Sequence, residues 1–196
     1  MVLRTLLIAL AGAVAVGAQP AAAPTAPVVN ETLVNGDFAQ PLAVGWQKSA
    51  RNLVGSNIVA IQKDGGVKVQ KTMCGHARIE QDVKLAALNT VFSTRVKFAS
   101  EATRDDYYAY STVALGYFDK SGKKLGETRW FSTTGTRPWQ ASNTVRLVPI
   151  ARRGEWQDVT LNIGDELRKN LAGIVPGKVA SLRITLESYG SGTEAC

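Results

Sequence analysis

Hydrophobic and polar side chains alternate through most of this chain. Over residues 77–85, Ile79, Gln81, Val83 and Leu85 fall on one face and Arg78, Glu80, Asp82 and Lys84 on the other, the period-two pattern of a half-buried strand. Residues 92–98 repeat it, with Phe92, Thr94, Val96 and Phe98 inward and Ser93, Arg95 and Lys97 outward. Residues 111–118 are more apolar on both faces. Asp119-Lys120-Ser121-Gly122-Lys123 then supplies turn chemistry before residues 125–131, which predicts a hairpin. Further strands are expected at 144–150, 157–163 and 181–188, the last with Leu182, Ile184 and Leu186 on one side. Earlier, residues 58–62 and 67–71 flank Asp64-Gly65-Gly66, a second hairpin signal. One stretch, 165–171, reads as a helix: Asp165 and Glu166 come first, Arg168 and Lys169 later, Leu167 and Leu171 share a face, and Gly173 is a stop. The pattern predicts an all-β fold, an antiparallel two-sheet β-sandwich with one short helix capping an end.

With 196 residues, 45% hydrophobic and 20% charged, the chain has the makings of one domain with a sizeable core. Residues 1–18 combine Arg4, an apolar run over 6–16 and a small-residue end, the three parts of a secretory signal. Residues 19–28 are rich in Pro and Ala and read as a tether, leaving 29–196 as the folded domain. No apolar run reaches the roughly 20 residues of a spanning helix, so the expected product is secreted, periplasmic or cell-surface associated, without a transmembrane segment. Export favours a disulfide between Cys74 and Cys196; a free C-terminal thiol is the alternative. The formal net charge of +7 favours acidic partners such as charged polysaccharide or envelope lipid, or merely keeps the surface solvated. Lys123-Lys124, Arg152-Arg153 and Arg168-Lys169 are scattered pairs rather than a stripe, which argues against nucleic acid.

Leu33-Val34-Asn35-Gly36-Asp37-Phe38, followed by Gly45-Trp46, resembles the start of CenC-type carbohydrate-binding modules of the galactose-binding-like jelly-roll superfamily. Residues 79–83, the Tyr117-to-Lys123 hairpin and Trp156 ahead of Val159-Thr160-Leu161 fit the same order. The resemblance spans roughly residues 31–188 and implies a jelly roll. It also implies inward-packed Trp46 and Trp156, and a structural Ca²⁺ held in part by Asp37, whose other reading is turn capping beside Gly36. Against the family pattern, no closing strand with an acidic pair follows residue 191. That departure leaves the calcium without its second acid and predicts an unpaired edge beside a 33–38 strand, where a protein partner could dock.

Catalytic signatures are sparse. His76 is the single histidine, with no nucleophile-elbow, phosphate-loop or dinucleotide pattern beside it. The carboxylate pairs Asp105-Asp106 and Asp165-Glu166 keep a sandwich hydrolase or lyase open, since separation decides that chemistry. Sugar binding instead needs exposed aromatic faces with polar neighbours. Tyr108, Tyr110, Trp130 and Trp139 supply such faces here, with Arg129, Arg137 and Gln140 as partners; the tyrosines could equally cover a sandwich edge. The leading expectation is therefore a non-catalytic binding module for polysaccharide, with an acidic glycan suggested by the charge. The alternative is a structural subunit of a cell-envelope or surface-layer assembly, docking through the open sheet edge.

Overall fold

A computed structural model describes residues 33–51, 55–63, 65–102, 104, 106–135 and 138–191. In chain order its elements are β1 (Gln47–Arg51), β2 (Asn57–Ile61), β3 (Val67–Lys71), β4 (Gly75–Lys84), β5 (Val91–Lys97), β6 (Ala109–Phe118), β7 (Lys124–Thr134), β8 (Val145–Pro149), β9 (Trp156–Asn162), helix α1 (Ile163–Lys169) and β10 (Ser181–Gly190). The leader and tether expected over 1–28, and the positions Asp105, Arg137 and Cys196, lie outside the described residues.

The protein is an all-β sandwich. One layer is a six-stranded sheet in the order β1-β4-β10-β6-β7-β8. It is antiparallel except at its β8 edge, which runs parallel to β7. The loop after β7 returns along that strand, and Gly126 makes room for it: a Cβ there would lie 2.1 Å from the Thr144 carbonyl oxygen. The other layer comprises two separate ribbons, β2–β3 and β5–β9, with α1 joined to the end of β9.

Alternation along the strands divides the six-stranded sheet into a core face and an outer face. Val113, Leu115 and Tyr117 of β6 share the core with Leu182 and Ile184 of β10, Val96 of β5, Val159 of β9 and Leu167 of α1. Each such fully buried aliphatic side chain is worth about 1.5–3 kcal/mol. Trp130 lies in this core too, 6% exposed and stacked on Phe92 with ring centroids 5.9 Å apart.

Helix α1 begins two residues earlier than the acids suggest, because Asn162 is its cap: the Asn162 side-chain oxygen accepts from the Asp165 backbone N–H at 3.0 Å. Glu166, wholly buried, accepts from the Thr128 hydroxyl at 2.6 Å, from the Asn170 amide at 2.7 Å and from Arg146. Paired and fully bonded in this way, a buried carboxylate pins the helix to the sheet. Asp165 instead bonds Arg168 and Lys169 at the surface, so the two acids do not face each other.

The 33–38 segment is a set of turns, not the expected strand. Asn35 takes a positive φ of 52°. Its amide donates to the carbonyls of Gln40 and Pro41, while its side-chain oxygen accepts from the Gln40 N–H at 2.9 Å. The Trp46 indole N–H donates to the Asn35 carbonyl at 3.0 Å, and Phe38 stacks on the same indole. Gln81, on the core face of β4, bonds both the N–H and the carbonyl of Val34. Side-chain bonds satisfy this backbone without a ladder. Among the described residues the predicted open edge beside a 33–38 strand is therefore not found; the edge strands of the sheet are β1, which pairs with β4, and β8.

Candidate ligand-binding face

On the outer face of the six-stranded sheet, register sets a ladder of polar side chains. Arg183, Thr185, Glu187 and Tyr189 of β10 lie opposite Asp82, Glu80, Arg78 and His76 of β4 on one flank. On the other flank they meet Gly116, Ala114, Thr112 and Tyr110 of β6, beyond which Glu127, Arg129 and Phe131 of β7 continue the rows. Directly opposed side chains on one face are neighbours. Small residues at Ala114, Gly116 and Thr185 leave a depression of about 280 Å³ between the long charged chains.

Those chains are already matched. Arg129 donates to Glu127 through Nε at 2.9 Å and Nη2 at 3.1 Å, a two-pronged pairing to which Lys124 adds a third contact. Burial pushes the Glu127 carboxyl up, but these bonds outweigh it and hold the carboxyl below its ordinary value. Arg183 donates to both oxygens of Asp82 at 2.7 and 2.8 Å and lies 3.5 Å from Glu80. Four cationic and three acidic side chains line the depression, so the net positive charge of the chain is not concentrated there.

One end of this face is aromatic. Tyr110 stacks on Tyr189 at 4.9 Å and meets Trp139 edge-on at 4.4 Å; Tyr189 stacks in turn on Tyr108 at 5.3 Å, and Phe131 packs against Trp139. The Tyr108 loop is tied to the end of β10 by bonds to Ser191 at 2.7 and 2.8 Å. A hydrogen bond with Tyr108, followed by burial, raises the Tyr189 hydroxyl to about 12. Burial first, then Glu187, pushes Tyr110 up as well. Arg129 joins the two parts: its guanidinium lies over the Trp139 ring, 4.5 Å from the centroid, while the same side chain lines the depression. Its Nη1 is buried without a hydrogen-bond partner among the described residues, with Glu187 Oε2 4.0 Å away.

Of the residues singled out from sequence, the structure brings together Tyr108, Tyr110, Trp139 and Arg129. Tyr110 is only 8% exposed, so it supports the cluster more than it offers a face. Trp130 does not belong: strand alternation sets it opposite to Arg129 and Phe131, on the core face, where it stacks on Phe92. Gln140 is exposed on the loop beyond Trp139. Tyr189, Glu187 and Arg78 were missed. Their alternation was readable, but their convergence depends on β10 lying between β4 and β6.

Other expected positions are simpler. Trp46 is buried, while Trp156, expected inside, is 52% exposed. Asp37 is exposed and accepts from the Ala39 N–H at 3.1 Å, a turn-capping contact. Among the described residues, no three acidic, histidine or cysteine side chains gather as a metal site. Cys74 is buried where Gly75 pairs with Gly190. No family model matches this chain, and none of the curated proteins matches it.

Proposed function

We propose that this protein is a secreted, non-catalytic binding module that holds a polysaccharide against the outer face of its six-stranded sheet. The observation that carries the reading is Arg129, which unites the aromatic end and the polar depression into one continuous surface. Sugars need such a pairing: ring C–H faces lie against aromatic carbon while hydroxyls exchange hydrogen bonds with matched donors and acceptors. Arginine–carboxylate pairs supply both at once. With charges so nearly balanced, this depression suits the hydroxyls of an uncharged stretch of glycan. The resemblance to CenC-type modules points the same way.

Retention on a panel of insoluble and soluble uncharged polysaccharides is the test, comparing wild type with Trp139→Ala and Glu187→Gln. At least one polymer should retain the wild type, and each variant should weaken that retention about ten-fold. No retention of the wild type by any polymer would reject the reading. It would favour a subunit of an envelope or surface-layer assembly, for which the specific observation is β1, a mostly exposed strand at the sheet edge. Recovery of the native protein within an envelope complex would then be the expected result.

A further inference from the structure

The exposed tryptophan that the core does not use lies across the sandwich from the depression, on the outward face of the β5–β9 ribbon. Lys97 sits directly opposite Trp156, and Arg95 directly opposite Asp158. The Arg95 guanidinium lies over the Trp156 ring, 5.8 Å from its centroid. Its ion pair with Asp158 is 3.9 Å long between side chains 68% and 86% exposed, an arrangement that leaves the guanidinium open to an outside anion. The turn before β9 is drawn to the end of β5 by the Gly154 N–H, which donates to the Phe98 carbonyl at 2.7 Å. That turn brings exposed Arg152 and Arg153 to the same end of the ribbon.

We propose that this face is a second binding surface, for a carboxylate-bearing polysaccharide: a sugar ring lies on Trp156 and its carboxylate on Lys97 and Arg95. Charge complementarity selects the partner: Arg95 and Lys97 flank the ring against the single acid Asp158, and at the end of the ribbon Arg152 pairs with Glu155 while Arg153 donates to the Thr133 carbonyl and adds a further positive charge. Farther along the ribbon face lie Ser93 and Thr160, their hydroxyls 3.5 Å apart and suited to a hydrated polymer, and beyond them the exposed Val91 opposite Asn162. A lipid interior would penalise Asp158 and Glu155. The surface is separate from the depression and does not depend on it. It gives a location to the acidic preference that net charge alone leaves diffuse.

Affinity electrophoresis in gels containing polygalacturonate, with its methyl ester as the uncharged control, decides the matter. The wild type should be retarded by the acid form and not by the ester, with retardation falling as salt rises. Trp156→Ala and the double variant Arg95→Gln/Lys97→Gln should each weaken binding about five-fold or more. Lys120→Gln/Lys123→Gln removes the same charge from the exposed β6–β7 turn and should bind as wild type does. Equal losses in the two double variants would overturn the proposal, as would an unaffected Trp156→Ala. Stronger retention by anionic vesicles or single-stranded DNA than by polygalacturonate would also overturn it. Any of these results leaves the outer-face reading intact, since uncharged polymers and Trp139→Ala report on that surface alone.

Discussion

The two faces of the six-stranded sheet bury polar groups to different ends. On the core face, Glu166, Thr128 and Tyr117 form a closed chain under α1, with the Tyr117 hydroxyl 3.0 Å from Thr128. On the outer face, Glu127, Arg129 and Glu187 are almost as deeply buried, yet they border a depression open to solvent. Buried polar groups cost stability unless paired. The core network spends its pairing on holding a helix, whereas the outer ladder holds long side chains in fixed positions with their remaining donors and acceptors beside solvent. Preorganised surfaces of that kind favour binding, because side-chain ordering is complete before a ligand arrives.

The sharpest way to break this contrast is with the tryptophans. Trp130→Ala removes a ring stacked within the core and should lower stability by about 3–5 kcal/mol in chemical denaturation. Arg129→Met comes next. It leaves Glu127 with Lys124 alone and should cost about 3 kcal/mol, while abolishing polysaccharide retention more fully than Trp139→Ala.

Titration separates the networks further. Glu127 is held below its ordinary value of 4.5, so its contribution is present above about pH 4.5 and is lost as pH falls through the lowered value. Tyr189 is raised from 10.0 to about 12. Its contribution is complete below pH 10 and is lost as pH rises toward 12. Melting temperature against pH should therefore fall at both extremes, and Glu127→Gln should flatten the acid limb. The smallest expected effect on stability is that of Trp156→Ala, within about 0.5 kcal/mol of wild type, as befits a half-exposed ring.

Much of this fold was legible because strand periodicity is local. The segments predicted at 77–85, 92–98 and 181–188 became β4, β5 and β10 with the expected residues inward. The Asp119 turn formed as its chemistry required, the carboxylate accepting from the N–H groups of Ser121 and Lys123. Strand β1 was not foreseen, since Gln47–Arg51 has little apolar pattern and owes its conformation to pairing with β4. The candidate site was only half legible. Tyr108, Tyr110, Arg129 and Trp139 were named from residue type, but parity cannot say which face of a strand another layer will cover. For that reason Trp130 and Trp156 exchanged their expected places.

Alone, then, the sequence determined the sandwich class, its turns, most of its strands and the presence of the aromatic and arginine side chains that gather on the outer face. These depend on alternation and turn chemistry within a few residues. Tertiary structure decided that Asn35 would fold the opening motif into turns held by Gln81 and Trp46, and that Glu187 and Tyr189 would complete a surface with Arg129 and Tyr110. The physical reason is strand order: β10 lies between β4 and β6, and long-range pairing of this kind juxtaposes side chains many tens of positions apart without leaving a local signal.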